Sequence, residues 1–276
     1  TENAIVKRLL AVETLGSVVV ICSDKTGKLT QNEMTVTKIL AGTEVFDVSG
    51  AGYKPEGDIS NQEGQKVENH PVLDRLMTIA SLCNEAQLEQ GENDLWGIIG
   101  DPTEGAMLTA AGKYDVDRQA LQAKCPRLGD LPFDSDRKMM SVFHDGFEEG
   151  KLALTKGAPD IVLERSTKEY TSEGVRELTP ERKEEILQTN IDFAKDALRV
   201  LSFAYSEHPD GDFEDAEENL IFVGLMGMID PARPEAKDAI NICRGAGIRA
   251  VMITGDYKET AVAIANDLGL RDEEDK

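Results

Sequence analysis

The chain has 276 residues and a formal net charge of −22, with 52 acidic residues against 30 basic ones. A surface this acidic repels phosphate backbones, so the composition argues against nucleic-acid binding. Hydrophobic residues make up 40% of the sequence, enough for a buried core, but the apolar runs fall far short of the roughly 18 residues that span a membrane. The 4 cysteines are scattered without a Cys-x-x-Cys pair, which argues against a zinc site or disulfide framework and fits a reducing cytoplasm.

The first predicted element is a buried strand at residues 17–23 that leads directly into an acidic side chain. In a parallel α/β sheet, ligands bind at the carboxyl ends of the strands. Asp24 stands at that end and is followed by Lys25 and Thr26. A carboxylate there can accept a phosphoryl group covalently, with nearby hydroxyls, amides and Mg²⁺ holding the phosphoryl oxygens. The sequence therefore predicts phosphoryl transfer to Asp24.

The middle of the chain, residues 36–220, differs in character from both ends and is far too long to be a loop in a compact domain. Its patterns predict short strands at residues 43–48, 141–144 and 152–155, and helices at residues 71–86, 103–113 and 180–198. We predict a separate α+β domain inserted after the strand that carries Asp24. The connections near residues 34–39 and 220–228 are expected to form its hinge.

The C-terminal part alternates between strand and helix patterns. The predicted elements are a strand at 221–229, a helix at 234–246, a strand at 249–254 and a helix at 258–268. This order implies right-handed crossovers in a doubly wound parallel sheet. We therefore predict an α/β fold whose parallel sheet is built from residues 1–35 and 221–276 and is interrupted by residues 36–220.

The segment at residues 24–30 reads Asp-Lys-Thr-Gly-Lys-Leu-Thr. It closely resembles the phosphorylation signature of P-type ion-transporting ATPases, Asp-Lys-Thr-Gly-Thr-Leu-Thr, and departs from it only at Lys28. The resemblance implies a haloacid-dehalogenase-like doubly wound sheet, incomplete at its C-terminal end, with an inserted α+β nucleotide-binding domain built on an antiparallel sheet. Thr26 stands where related phosphatases carry a second Asp as general acid-base. The aspartyl-phosphate is therefore expected to persist.

Two further segments near the C-terminal end resemble motifs of the same family. Thr254, Gly255 and Asp256 match the second motif of its phosphorylation domain, where a hydroxyl and backbone amides can hold a phosphoryl group. Residues 230–233 resemble the Asp-Pro-Pro-Arg motif, with Ala in place of the second Pro. The resemblance implies that Asp230 and Arg233 help to receive the nucleotide. Taken alone, both segments are also typical of helix starts.

The inserted segment contains an aromatic residue followed five positions later by a cation, Phe133 and Lys138. An adenine ring binds to a flat apolar partner and a phosphate to a positive one. Residues 100–106, 131–142, 156–159 and 198–201 resemble the nucleotide-binding segments of type II P-type pumps. By that resemblance Phe133 stacks on adenine, and the other residues of the nucleotide site are Glu104, Lys138, Lys156, Gly157 and Arg199.

The resemblance covers essentially the whole chain and implies the cytoplasmic catalytic portion of a calcium-pump-like P-type ATPase. ATP would bind the inserted domain, and its γ-phosphoryl group would pass to Asp24 after domain closure, with Mg²⁺ held at Asp24 and Thr26. The implied partners are ATP and the membrane and actuator domains of an intact pump, at the cytoplasmic face of a membrane. By resemblance the transported cation is Ca²⁺, which this chain is not expected to bind.

Two alternatives remain at this point: a soluble phosphohydrolase of the haloacid-dehalogenase superfamily, or a nucleotide-binding module without catalysis. Thr26 in place of a second Asp disfavours the first. The sequence stops before the family's Gly-Asp-Gly-Val-Asn-Asp segment, which implies ATP binding with little or no turnover. Lys28 replaces a hydroxyl that the family retains, so we expect it to lower phosphorylation.

Overall fold

The computed structural model describes residues 16–91, 95–208, 211–213, 215–255 and 258–270. The strands are β1 (Val20–Asp24), β2 (Thr35–Ala41), β3 (Glu44–Val48), β4 (Ile59–Ser60), β5 (Gln87–Gln90), β6 (Trp96–Ile99), β7 (Arg127–Asp134), β8 (Met139–Phe147), β9 (Gly150–Gly157), β10 (Ser166–Thr171), β11 (Gly174–Glu177), β12 (Arg199–Glu207), β13 (Leu220–Ile229) and β14 (Arg249–Ile253). The helices are α1 (Pro71–Leu82), α2 (Pro102–Lys113), α3 (Arg118–Lys124), α4 (Pro159–Arg165), α5 (Pro180–Lys195), α6 (Pro234–Gly245) and α7 (Lys258–Asp267). Within the described ranges, no helix has the length and apolar character needed to cross a membrane.

Three helices of the middle segment begin in the same way, with a capping side chain followed by proline. The capping residues are His70 for α1, Asp101 for α2 and Thr179 for α5, and each accepts a hydrogen bond from an amide of the first turn. Proline suits the next position because its missing N–H would have no helical partner and its φ is already helical. The cap at Asp101 therefore fixes Glu104 in the first turn of α2.

Contacts between residues divide the chain into two compact units. Glu33–Ile229 form one unit, and the described residues before Glu33 and after Ile229 form the other. In the second unit, β1 and β14 pair in parallel, with Asp24 opposite Ile253. The parallel pairing agrees with the sequence prediction, but the predicted burial of the strand is wrong, because Val20 and Ile21 are 45% and 40% exposed. The complete doubly wound order stays a prediction.

The unit Glu33–Ile229 is built on a large mixed sheet that is mostly antiparallel. Its strand order is β4-β3-β2-β13-β12-β9-β8-β7, with β10 added to β13 in parallel and β11 added to β10. One apolar core lies between this sheet and helices α1 and α2, and another includes side chains from α4 and α5. The sheet therefore has a helical layer on each face.

Strand β13 is the main departure from the sequence prediction. The apolar run at residues 221–229 predicts a strand of the parallel sheet, and this placement is wrong because β13 pairs antiparallel with both β12 and β2. Ile221 and Val223 belong to the core under α1 and α2, whereas Phe222 and Leu225 belong to the core that includes α4 and α5. A strand buried on both faces has a continuous apolar sequence in either kind of sheet.

The hinge predicted from the sequence also differs from the one in the structure. The segments near residues 34–39 and 220–228 are expected to be connections, but the structure makes them parts of the paired strands β2 and β13. Their pairing satisfies the backbone donors and acceptors that a connection would leave to solvent. The division between the two units falls instead after Asn32 and after Ile229.

Candidate functional site

Predicted site residues from distant parts of the sequence meet at one end of the large sheet. In the hairpin of β7 and β8, Asp134 lies opposite Met139, so Phe133 and Lys138 flank the turn. In the next pair, Met139 lies opposite Gly157 and Met140 opposite Lys156. Phe133, Lys138, Lys156 and Gly157 therefore lie at the same ends of three adjacent strands. We call this region the Lys156 end of the sheet.

Strand β12 and helix α2 add two more predicted residues to the Lys156 end. Ser202 of β12 pairs with Gly157, which places Arg199, the first residue of β12, just beyond the end of β9. The Nη1 atom of Arg199 donates a hydrogen bond of 3.3 Å to Oγ1 of Thr103. Thr103 precedes Glu104 in the first turn of α2. The structure thus brings together all six nucleotide-site candidates of this unit.

The turn between β7 and β8 presents an aromatic ring and a cation to solvent. Phe133 is 65% exposed, and Lys138 is exposed in a left-handed backbone conformation with φ of 53°. The carboxylate of Asp134 holds the turn by accepting hydrogen bonds from the amides of Asp136 (2.8 Å) and Arg137 (3.0 Å). These bonds keep the pKa of Asp134 below its ordinary value because they favour its charged form. The exposed ring offers a flat apolar surface to a ligand.

Lys156 and Glu104 form a buried ion pair at the centre of this region. Their side chains are only 9% and 13% exposed. The second carboxylate oxygen of Glu104 accepts hydrogen bonds of 3.1 Å from the amides of Glu85 and Ala86. Each charge therefore has a partner, which a buried ion requires. Both oxygens of Glu104 are engaged within the protein.

Gly157 is required by the close approach of two strands. A Cβ atom at this position would lie 2.7 Å from Cβ of Met139 and 2.8 Å from the carbonyl oxygen of Lys138. Real Cβ contacts essentially never come this close, so a side chain here would push the hairpin of β8 away from β9. Gly157 therefore shapes the Lys156 end through packing, in addition to any role toward a ligand.

The turn after α1 is held in place by residues that the sequence motifs do not indicate. Arg118 donates to the carbonyl oxygens of Ala86 (2.5 Å) and Asn84 (2.8 Å), and Asn84 Nδ2 donates to the carbonyl oxygen of Glu104 at 3.0 Å. Cys83 is fully buried beside this turn, and burial raises the pKa of its thiol to about 11, so it stays protonated. The sequence carries no local signal for these contacts, because Arg118 is distant from the turn along the chain.

The second unit places the phosphoryl-acceptor candidates at neighbouring strand ends. The parallel pairing of Asp24 with Ile253 puts Thr254 at the carboxyl end of the strand beside Asp24. Asp24 is exposed, Thr254 is half-buried and Gly255 is exposed. Asp256 lies outside the described residues. The arrangement of Asp24 and Thr254 is the one expected at the ligand-binding edge of a parallel sheet.

The residues after Asp24 form a wide turn, Lys25–Leu29, that is closed by Thr30. Gly27 has φ of 69°, a conformation that residues with a side chain rarely adopt. The Thr30 amide donates to the carbonyl oxygen of Lys25 (3.1 Å), and the Thr30 hydroxyl accepts from the amide of Gly27 (3.4 Å). Within this turn, Lys25 is buried, whereas Thr26 and Lys28 are exposed.

Asp230 and Arg233 brace the same turn. The Thr30 hydroxyl donates a hydrogen bond of 2.6 Å to Oδ2 of Asp230. The Nε atom of Arg233 donates to the carbonyl oxygen of Thr30, and its amide donates to that of Leu29, both at 2.8 Å. The structure thus gives both side chains contacts around Thr30, while their role toward a nucleotide stays a prediction.

The donor groups near Asp24 suit a hard cation. Mg²⁺ takes oxygen ligands and binds through one or two carboxylates together with water and substrate phosphates. The exposed carboxylate of Asp24 and the oxygens of Thr26 are of this type. Among the residues that the structure describes, no group of three or more His, Cys, Asp or Glu side chains is placed to enclose a metal. The residues therefore fit an ion shared with a phosphate ligand.

Comparison with known protein families decides to which family the chain belongs. A family profile described as P-type ATPase, cytoplasmic domain N, matches residues 72–235. The chain belongs to the P-type ATPases. This match covers α1 through the start of α6 and so includes the whole Lys156 end. The predicted membership of the P-type ATPase family is confirmed.

Full-length relatives agree with this assignment. A calcium-transporting ATPase of Bacillus subtilis is 42% identical over 98% of the chain, and a cation-transporting ATPase of Synechocystis sp. is 42% identical over 99%. An endoplasmic reticulum-type calcium-transporting ATPase of Arabidopsis thaliana is 38% identical over 98%. The chain spans 31%, 31% and 29% of the lengths of these relatives, respectively.

Proposed function

We propose that this chain is the ATP-binding and phosphoryl-accepting cytoplasmic portion of a P-type cation-transporting ATPase. In the intact pump, the γ-phosphoryl group of ATP would pass to Asp24 to drive transport. The names of the relatives favour calcium as the transported cation. The observation that carries the proposal is the convergence of Glu104, Phe133, Lys156 and Arg199 at one end of the sheet. Membrane and actuator parts would complete the pump at the cytoplasmic face of a membrane.

The Lys156 end has the groups that ATP binding needs. The exposed ring of Phe133 would stack on adenine, and the cations of Lys138 and Arg199 would face the phosphates. Local cations are necessary because the chain as a whole carries a charge of −22 and repels a nucleotide. Lys156 is paired with Glu104, so we assign it to the wall of the pocket. Gly157 keeps that wall flat because it has no side chain to project from it.

The second unit would supply the acceptor. A carboxylate oxygen of Asp24 would attack the γ-phosphorus, the bond to the bridging oxygen of ADP would break, and an aspartyl-phosphate would remain. The hydroxyls of Thr26 and Thr254 would hold the phosphoryl oxygens. Bound at Asp24 and Thr26, Mg²⁺ would offset the negative charge of the phosphates. Thr26 cannot act as a general base near neutral pH, so the phosphoenzyme would be long-lived.

We further propose that residues 16–32 and 230–270 belong to a haloacid-dehalogenase-like doubly wound sheet. The parallel pairing of β1 with β14 supports this fold. The βαβ order of β1, β14 and the helices α6 and α7 is also consistent with it. The nucleotide-binding domain is then the unit Glu33–Ile229. Its boundaries differ slightly from residues 36–220 because β2 and β13 belong to its sheet.

Calorimetric titration of the chain with ATP tests the nucleotide site. Phe133→Ala is expected to weaken ATP binding at least about tenfold, or 1.4 kcal/mol, because it removes the stacking surface. Leu128→Ala is the matched control, since Leu128 is an exposed apolar residue near the other end of the same strand. Absence of ATP binding by the folded chain, or equal affinity of the Phe133→Ala variant, would refute the site.

Acid-stable labelling with γ-³²P-ATP and Mg²⁺ tests the acceptor. Asp24→Asn is expected to abolish the label and to leave ATP affinity unchanged, because Asp24 and the Lys156 end belong to different units. We expect little or no steady-state hydrolysis. Label that persists in Asp24→Asn would contradict the assignment of the nucleophile without affecting that of the nucleotide site.

A further inference from the structure

Phe133 lies in a break of the ladder between β7 and β8. Leu131 pairs with Ser141. The next pair toward the turn joins Asp134 to Met139, so two residues of β7 lie opposite one residue of β8. A bulge of this kind interrupts the regular hydrogen bonding of the strand. The ladder alone therefore does not fix the ring that is predicted to stack on adenine.

Arg137, in the turn after β7, supports this bulge from the side. Its Nη2 atom donates a hydrogen bond of 2.6 Å to the carbonyl oxygen of Pro132, the residue before Phe133. Pro132 has no N–H that could pair with β8, so its carbonyl oxygen is the group through which its backbone can be held. The hydrogen bond therefore ties the backbone next to the ring to the guanidinium of Arg137.

Glu217, in the loop between β12 and β13, holds that guanidinium in turn. The Nη1 atom of Arg137 donates to both carboxylate oxygens of Glu217, whose side chain is only 8% exposed. Glu217 also accepts a hydrogen bond of 2.9 Å from Oγ of Ser141, which lies 2.8 Å from the hydroxyl oxygen of Thr155. Ser141 and Thr155 are fully buried in the paired strands β8 and β9. The carboxylate is therefore fixed by the sheet.

We propose that Glu217 is a positioning residue for ATP, because it fixes Arg137 and, through Arg137, the bulge that carries Phe133. This inference rests on the proposed stacking of adenine on Phe133. A ring that is held in place before the ligand arrives loses less conformational entropy on binding. Arginine suits the task because its planar fork can donate to a carboxylate and to a carbonyl oxygen at the same time.

Electrostatics alone makes the opposite prediction for Glu217. ATP is an anion, so removal of a neighbouring carboxylate should tighten its binding. If Glu217 acts by positioning, Glu217→Gln should instead weaken ATP binding about fivefold. Glu218→Gln is the matched control, because Glu218 is the next acid in the same loop and pairs with Arg165 at 3.0 Å. This control removes the same charge and should not weaken ATP binding.

A double-mutant cycle tests whether the effect passes through the ring. In the Phe133→Ala background, Glu217→Gln should change ATP affinity by less than about 1.5-fold, because there is no ring left to position. A direct contact with the nucleotide, or a general loss of structure, would weaken binding in both backgrounds. Arg137→Lys keeps the charge but cannot bridge both partners, so it should also weaken binding about fivefold when Phe133 is present.

Calorimetric titration of the full chain with ATP and Mg²⁺ measures each affinity, and circular dichroism establishes that each variant is folded. If Glu217→Gln fails to fold, Arg137→Lys decides in both backgrounds. Unchanged or tighter ATP binding in the folded variant, or a loss that persists in the Phe133→Ala background, overturns the proposal. The proposed nucleotide site survives that result if Phe133→Ala still weakens binding. A folded wild-type chain that binds no ATP overturns both.

Discussion

Lys156 on strand β9 and Glu104 on helix α2 form a buried ion pair that joins the sheet to the first turn of the helix. Glu104 also accepts hydrogen bonds from the amides of Glu85 and Ala86. The pair therefore holds together strand β9, helix α2 and the turn after α1. The exposed Phe133 and Lys138 lie at the ends of the adjoining strands. The geometry of the predicted nucleotide site therefore depends on an interaction that is internal to the protein.

Lys156→Ala is expected to lower the free energy of unfolding by about 3 kcal/mol, because it leaves the buried carboxylate of Glu104 without its counter-charge. Urea denaturation near pH 7 measures this change. Lys138→Ala removes an exposed lysine and is the matched control, with an expected change within about 0.5 kcal/mol. A loss below about 1 kcal/mol in Lys156→Ala would show that the pair contributes little.

Gly157→Ala is expected to destabilise the chain by about 1–3 kcal/mol, because the added methyl group would overlap Met139 and the carbonyl of Lys138. The same change should weaken ATP binding by displacing the turn next to Phe133. Gly97→Ala is the control, since a Cβ at Gly97 has nothing within 4 Å. Equal stabilities of the two variants in thermal denaturation would contradict the packing argument.

The stability of the chain should depend on pH through Lys113. Burial lowers the pKa of this ammonium group from 10.5 to about 8, despite its 2.8 Å hydrogen bond to the carbonyl oxygen of Gly50. Below pH 8 the lysine is charged in both states, and its desolvation destabilises the fold fully. Between about pH 8 and 10.5 the unfolded chain binds the extra proton, so stability rises with pH.

The measurement compares the wild-type chain with Lys113→Met in urea across this range. The difference in unfolding free energy should move in favour of the wild type by about 2 kcal/mol between about pH 7.5 and 10. Other groups titrate in both proteins, so their contributions cancel in the difference. A difference that stays constant with pH would contradict the lowered pKa.

Thr30→Val is expected to loosen the turn that follows Asp24. The variant loses the hydrogen bond that the Thr30 hydroxyl donates to Asp230 and the one that it accepts from the amide of Gly27. Each bond contributes about 1 kcal/mol, so amide hydrogen exchange in residues 25–30 should accelerate at least about tenfold. Thr189→Val removes a comparable hydroxyl from the exposed face of α5 and should leave exchange in the turn unchanged. Unaltered protection in Thr30→Val would refute the bracing role.

Lys28→Thr is expected to raise acid-stable phosphorylation of Asp24 several-fold. Lys28 is exposed on the turn beside the acceptor, and threonine would restore a hydroxyl that can donate to the phosphoryl group. Lys237→Thr, at an exposed position on α6, makes the same change of charge and should have no effect. Unchanged phosphoenzyme formation in Lys28→Thr would refute the inhibitory role.

The sequence predicts local elements well and long-range pairing less well. The caps at His70, Asp101 and Thr179 mark helix starts that agree with the structure to within one residue. Strand β13 illustrates the limit, because a continuous apolar run reports burial on both faces and contains no information about its neighbours. Only pairing with β2 and β12 shows that it belongs to the antiparallel sheet.

The same limit applies to the candidate sites. Family motifs indicate Glu104, Phe133 and Lys156, and the strand register shows that these residues converge. The motifs do not show that Glu104 pairs with Lys156, or that Arg118 supports the neighbouring turn. Such contacts depend on the register of strands and on the rotation of helices about their axes, which no short segment specifies.

Thr35, near the start of the unit Glu33–Ile229, lies opposite Ile229 at its end in the antiparallel ladder of β2 and β13. Paired residues in such a ladder have Cα atoms about 5 Å apart. The two ends of this unit are therefore adjacent in space, and joining them would cost little loop-closure entropy. Residues 33–229 should therefore form a unit that can be excised or circularised. The unit should also tolerate insertion into a loop of a host protein, because its closely spaced ends would distort neither the unit nor the host.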